Sequence, residues 1–204
     1  TGLMIYRGDA WPEGYVGDAF IADCGSNLLH RKQVRADGVE LIAERPADEQ
    51  RTEFLTCTDT WFRPVQLANA PDGSLYLIDM YREIIEHPWS LPSGIKEQLD
   101  LNSGNDRGRI YRIVPEGFQR RANPRFTQAT TADLVATLAH ANAWHRETAA
   151  RLLIERQDPT TPPGVAQFLN DSPAPLGRLQ ALYVLASLDA LRTEHLTAGL
   201  ADPD

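Results

Sequence analysis

The chain has 204 residues, 42% of them apolar and 24% charged, with 14 glycines and 14 prolines, a balance that fits folded domains and argues against disorder. Its net charge of −8 disfavours a nucleic-acid backbone as partner, since phosphate binding needs clustered Lys and Arg. No apolar run approaches the roughly 18 residues of a membrane span, and no basic and apolar leader is visible.

The first elements are short β-type runs separated by Gly, Pro, Asp and Asn, continuing to about Pro115. The opening, Thr1-Gly2-Leu3-Met4-Ile5-Tyr6, starts as if inside a strand, and Leu200-Ala201-Asp202-Pro203-Asp204 stops where a helix is usually capped. The chain is therefore expected to be an internal fragment.

An internal repeat runs through this half. Gly17-Asp18-Ala19-Phe20-Ile21-Ala22-Asp23 matches Gly73-Ser74-Leu75-Tyr76-Leu77-Ile78-Asp79 in size and polarity. A second strand follows each, Leu28-Leu29-His30-Arg31 in one unit and Arg109-Ile110-Tyr111-Arg112 in the other. A glycine turn, a strand ending in Asp, and a strand ending in Arg describe a propeller blade, a small sheet that must stack on neighbours. The fold class predicted is mixed: antiparallel sheet from the last two blades of a β-propeller, then an α-helical HEAT-type solenoid. A plain antiparallel sandwich is the simpler alternative for the first part.

The two units differ in one respect. Seven residues separate Asp23 from Arg31, but about thirty separate Asp79 from Arg112. That insertion holds Tyr81-Arg82-Glu83-Ile84-Ile85-Glu86-His87-Pro88-Trp89 and is expected to be functional or mobile.

Residues 1–115 form the predicted propeller part, 116–129 a linker with Gly117 and Pro124, and 130–204 incomplete HEAT-like repeats. Thr130 and Asp133 make a capping-box start, and Asn142 is placed to cap the next helix, where Glu147 and Arg151 form an i, i+4 pair. Thr161-Pro162-Pro163 opens a third helix, a fourth runs through Leu179, Leu182, Tyr183 and Ala186, and a fifth through Leu196 and Leu200. Arg146-x-x-Ala149 recurs as Arg178-x-x-Ala181, 32 residues on, with Leu152-Leu153 and Val184-Leu185 in step.

The chemistry-bearing residues have two readings each. Arg63 can pair with a cofactor carboxylate or bridge blades as a structural residue. Asp59 and Asp79 can ligate a hard cation such as calcium or cap turns. His87 can serve as a base in oxidation of a sugar-like alcohol or anchor its loop. Tyr81, Arg82 and Trp89 can bind polyol or cofactor, or form the loop's core. Cys24 and Cys57 can bridge in an oxidising compartment or remain separate thiols. His30 is expected to be structural, and His140, His145 and His195 form no metal motif.

Trp61-Phe62-Arg63-Pro64-Val65, Pro71-Asp72-Gly73-Ser74-Leu75-Tyr76, Asp79-Met80-Tyr81-Arg82, Glu86-His87-Pro88-Trp89 and Asp106-Arg107-Gly108-Arg109-Ile110-Tyr111-Arg112-Ile113 together resemble the membrane-bound dehydrogenases of planctomycetes and related bacteria. Those look like relatives of the glucose and sorbosone dehydrogenases, six-bladed propellers that use pyrroloquinoline quinone, here followed by HEAT-like repeats. The resemblance implies an extracytoplasmic protein that oxidises a sugar or polyol with quinone and calcium and passes electrons to a c-type haem domain outside these residues. On that basis His87 is the catalytic candidate, Arg63 and Arg82 bind cofactor, Tyr81 and Trp89 bind substrate, and Asp79 and Asp59 hold the metal. The rival reading is a non-catalytic propeller and HEAT scaffold that binds a protein or carbohydrate partner, with the helical repeats as a protein-docking surface.

Overall fold

A computed structural model describes residues 2–204. They form antiparallel β-sheets followed by helices, in two compact units: residues up to Ala70 with Ser74–Phe118, and Pro71–Gly73 with Gln119–Asp204.

In the first unit, β1 (Leu3–Ile5), β2 (Ala19–Asp23), β3 (Leu28–Asp37) and β4 (Glu40–Glu44) make a meander, and β5 (Leu55–Thr56) pairs with the start of β3. A second sheet holds β6 (Pro64–Asn69), β7 (Leu75–Asp79) and β8 (Arg109–Ile113) in that order. Neither sheet closes on itself. The repeat seen in the sequence corresponds to β2 and β7, each followed by its antiparallel partner, β3 or β8. The entry glycines of β2 and β7, Gly17 and Gly73, have φ of +93° and +83°, a backbone region that L side chains rarely adopt.

One apolar core joins the two sheets. Tyr6, Phe20, Ala22 and Leu29 from the first meet Phe62, Leu67, Leu75 and Leu77 from around the second. Alternation explains the choice: Leu75, Leu77 and Asp79 face inward along β7, while Ile78 faces out and is 43% exposed. Arg31, at the centre of β3, is also buried; it donates from Nε to Asp18 at 2.6 Å and from Nη1 to Glu49, with its guanidinium 3.7 Å from the Tyr15 ring centroid.

Beyond residue 32, β3 continues with β4 as a two-stranded arm whose residues are almost all exposed. The sequence reading ended this strand near Arg31 and placed neither the arm nor β5. The arm mixes apolar and polar residues, and almost all of them are exposed, so it has no buried face for a periodicity argument to detect.

The insertion between β7 and β8 contains a 3₁₀ turn at Pro88–Ser90 and the short helix α1 (Ser93–Lys96), but no strand.

The second unit holds α2 (Thr131–Thr137), α3 (Ala143–Arg156), α4 (Thr161–Asp171), α5 (Pro175–Ser187) and α6 (Thr193–Leu200). Thr130 and Asp133 cap α2 reciprocally, and Asn142 Oδ1 accepts from Trp144 N to cap α3. The core is Leu134, Leu138, Ala149, Ala150, Leu153, Val165, Leu169, Ala181, Val184 and Leu185. The 32-residue offset has a structural counterpart. Arg146 donates from Nη1 to the carbonyl of His140 and Arg178 to that of Ser172, each six residues back, while Ala149 and Ala181 are both fully buried.

The helices expected through Leu179–Ala186 and Leu196–Leu200 are present as α5 and α6. Arg151 Nη1 donates to both carboxylate oxygens of Glu155 at 2.8 Å. In α5, Ala181, Val184 and Leu185 are buried, whereas Leu179 and Tyr183 are 49% and 64% exposed. This helix is apolar around most of its circumference, so neighbours and not periodicity select its inner face. On α6, Leu196 and Leu200 are exposed and His195 is buried, its Nδ1 accepting from Arg192 N at the helix start.

Candidate functional site

The sequence-derived site residues gather around the end of β7. Asp79 closes that strand with a buried carboxylate. Its Oδ1 accepts from the backbone N–H of Arg63 and of Tyr81, both at 2.8 Å. These bonds fix the chain's exit from the sheet, and Tyr81 leaves in the left-handed region with φ +51°. Asp79 Oδ2 is buried without a hydrogen bond and lies 3.7 Å from Nη1 of Arg109.

Arg63 fastens the root of the insertion. Its Nε donates to the carbonyl of Arg82 at 2.9 Å, Nη1 to that of Cys24 at 2.9 Å, and Nη2 to that of Glu83 at 2.8 Å. A guanidinium presents donors in a rigid fork, so one side chain can hold three separated carbonyls. Arg82 folds back on itself, with Nη1 donating to the carbonyls of Met80 and Tyr81 and its N–H to that of Trp61.

The far end of the insertion returns to the same place. The Arg109 guanidinium lies 3.7 Å from the Tyr81 ring centroid, and hydrogen bonding to Tyr81 pushes its pKa further up. Trp61 stands on the same ring at 5.7 Å. Gly104, at φ +86°, passes so close to the Tyr81 carbonyl that a Cβ there would collide with it. Tyr81 is thus held by Arg109, Trp61 and Gly104.

His87 and Trp89 lie away from this anchor. Both are exposed, Trp89 at 90%, and His87 Nδ1 accepts from Trp89 N at 3.2 Å to start the 3₁₀ turn. That bond places the proton of a neutral His87 ring on Nε2, which faces away from the turn's own hydrogen bond.

Asp59 is exposed; its Oδ1 accepts from Trp61 N at 3.0 Å and its carbonyl from Phe62 N. Cys24 and Cys57 are free thiols and form no bridge. Cys24 sits in the turn after β2, whereas Cys57 follows β5, an exposed residue whose N–H donates to the Asn27 carbonyl. Asn27, at φ +59°, completes that turn and donates its amide to the carbonyls of Thr60 and Phe62.

These contacts bear on the expected cofactors. Calcium takes about six to eight oxygen ligands. Asp79 and Asp59 each accept from backbone N–H groups, and among the described residues no three His, Cys, Asp or Glu side chains converge as a metal site. A quinone carboxylate would need guanidinium donors that Arg63 gives to backbone carbonyls. The residues present do not fit a calcium or quinone seat.

Arg109, Gly104 and Asn27 are the supporting residues that reading the sequence for chemistry missed. The signal for Arg109 was available, since the repeat sets the first residue of β8 opposite the Asp that ends β7. Ser26-Asn27 reads as a turn, but nothing local announces that Asn27 or Gly104 meets a carbonyl distant along the chain.

No helix among the described residues is long and apolar enough to cross a membrane. No curated protein and no solved structure matches the chain. A family model described as a domain of unknown function, DUF7133, matches residues 1–117, which contain both sheets and the whole anchored insertion, and the chain belongs to that family.

Proposed function

We propose that this chain is the recognition segment of an extracytoplasmic, sugar- or polyol-oxidising protein of the propeller type. Its two sheets are adjacent blades, and its helices are HEAT-type repeats. The observation that carries the reading is the contrast within one insertion. Its root is pinned by Arg63, Asp79 and Arg109, while His87 and Trp89 project from it into solvent.

A rigid root with an exposed aromatic and an imidazole suits a ring-bearing polyol. Trp89 offers an apolar face to C–H groups, and His87 Nε2–H offers a hydrogen bond to a hydroxyl oxygen; the ring takes a hydroxyl proton at Nε2 only in its other tautomer, with the Nδ1 bond from Trp89 N given up. Arg63 and Asp79 act as positioning residues.

A binding module without catalysis is the second reading. It is favoured by the engagement of Arg63 and Asp79 with backbone groups, which leaves the exposed loop as the chemically available feature. The two readings separate on dye-linked oxidation of a sugar and polyol panel by the full-length protein supplied with pyrroloquinoline quinone and calcium. Turnover that His87→Ala lowers at least about tenfold, with unchanged thermal unfolding, supports the oxidoreductase. Polyol binding without turnover in the folded protein supports the binding module and removes the catalytic role of His87.

A further inference from the structure

A histidine on the outer face of the first sheet has its tautomer fixed by its neighbours. Where β2 pairs with β3, Phe20, Ala22, Leu29 and Arg31 turn inward and are buried, so Ile21, Asp23, Leu28 and His30 turn outward and are half-buried. Asp23 stands opposite Leu28, two residues from His30, which makes the two polar residues diagonal neighbours within side-chain reach. His30 Nε2 lies 3.7 Å from Asp23 Oδ2, and both side chains are open to solvent, at 26% and 35%.

The other ring nitrogen determines what Nε2 can do. His30 Nδ1 is 2.6 Å from Glu53 Oε2. Arg45 donates to the second oxygen of that carboxylate, and this bond, followed by the one from His30, holds the Glu53 carboxyl below its usual range. An ionised carboxylate has no proton to give, so the short contact is Nδ1–H donating to Glu53. Arg45 Nη2 also approaches Nδ1, but at 3.5 Å it is too distant to reverse that role. In the neutral ring Nε2 is then a bare lone pair that faces the anionic Oδ2 of Asp23. The Asp23 carboxylate is itself held in place: Oδ1 accepts from the N–H groups of Gly25 and Ser26 at 3.0 Å, and the Ser26 N–H above all keeps this carboxyl low.

Distance separates the two ways of filling the gap. A proton shared between Nε2 and Oδ2 would draw them to about 2.8 Å. Two ligands of one tetrahedral cation, each about 2.1 Å from it, stand about 3.4 Å apart. The observed 3.7 Å is closer to the second.

We propose that His30 Nε2 and Asp23 Oδ2 together ligate a divalent cation of the zinc or nickel type, with Glu53 as the residue that positions the imidazole. An imidazole with a carboxylate suits these metals, whereas calcium and magnesium take oxygen ligands. A carboxylate behind the distal ring nitrogen is the usual support of a metal-bound histidine, fixing its tautomer and raising its basicity. Two side chains leave the remaining coordination positions to water, so the ion is exchangeable.

Calorimetric titration of the whole chain with Zn²⁺ near neutral pH tests the proposal. The expected result is one saturable site with a Kd of roughly 10–300 µM, undiminished by excess Ca²⁺. His30→Gln and Asp23→Asn should each abolish that site while keeping the wild-type circular dichroism. Glu53→Gln should weaken it about tenfold or more with both ligands still in place. On the wild-type protein alone, Zn²⁺ should move the nitrogen resonance of His30 Nε2 while Nδ1 keeps its proton. No binding up to about 1 mM Zn²⁺, binding that either ligand variant leaves at full strength, or an unmoved Nε2 resonance overturns the assignment.

Discussion

Arg63 Nη1 donates to the carbonyl of Cys24, 39 residues earlier, at 2.9 Å. The same guanidinium holds the carbonyls of Arg82 and Glu83, so one side chain ties the turn after β2 to the root of the insertion. Replacing Arg63 by Ala leaves three carbonyls without their charged donor. The expected loss is about 2–4 kcal/mol in urea unfolding, with faster amide exchange across residues 80–90. Arg63→Lys should recover only part of this, because an ammonium lacks the fork. An Arg63→Ala protein with wild-type stability and exchange would remove the residue from its anchoring role.

Asp18 and Arg31 form a contact of 2.6 Å with both side chains buried. Removing one partner of a buried pair leaves the other charge uncompensated, which typically costs about 3–5 kcal/mol. Either single variant, Asp18→Ala or Arg31→Met, leaves one of these charges stranded, so each is expected to be more destabilised than the double variant Asp18→Ala/Arg31→Met, which leaves neither. Equal effects in denaturant titrations would mean that packing around Tyr15 and Glu49, and not charge, dominates here.

Glu53 sets an acid limit. Its hydrogen bond from Arg45, followed by that from His30, holds its carboxyl below the ordinary 4.5 despite partial burial. A depressed folded-state value contributes stability that is present above 4.5 and lost as pH falls through the folded value. Glu53→Gln should therefore be less stable than wild type near neutrality, with the difference shrinking below pH 4.5. Unfolding midpoints measured against pH check this, and parallel curves for the two proteins would exclude the linkage.

Much of this architecture was legible because its signals are local. The glycine entering each of β2 and β7 and the Asp ending it recur within a few residues, and the caps at Thr130 and Asn142 act on N–H groups two or three positions away. The site was legible in composition but less so in role. Arg63 stood out as a candidate ligand, yet its acceptors are backbone carbonyls that no side-chain pattern announces. Neither the arm nor β8 advertises an edge, since pairing is a property of the sheet and not of the strand.

The central claim is that an anchored insertion presents Trp89 and His87 to a polyol. Its most direct test is a titration of tryptophan emission with a panel of monosaccharides and polyols, comparing wild type with Trp89→Ala. The predicted result is a saturable change for at least one compound that vanishes in Trp89→Ala while the unfolding midpoint stays the same. No saturable response to any compound, or one that Trp89→Ala leaves intact, would contradict the claim.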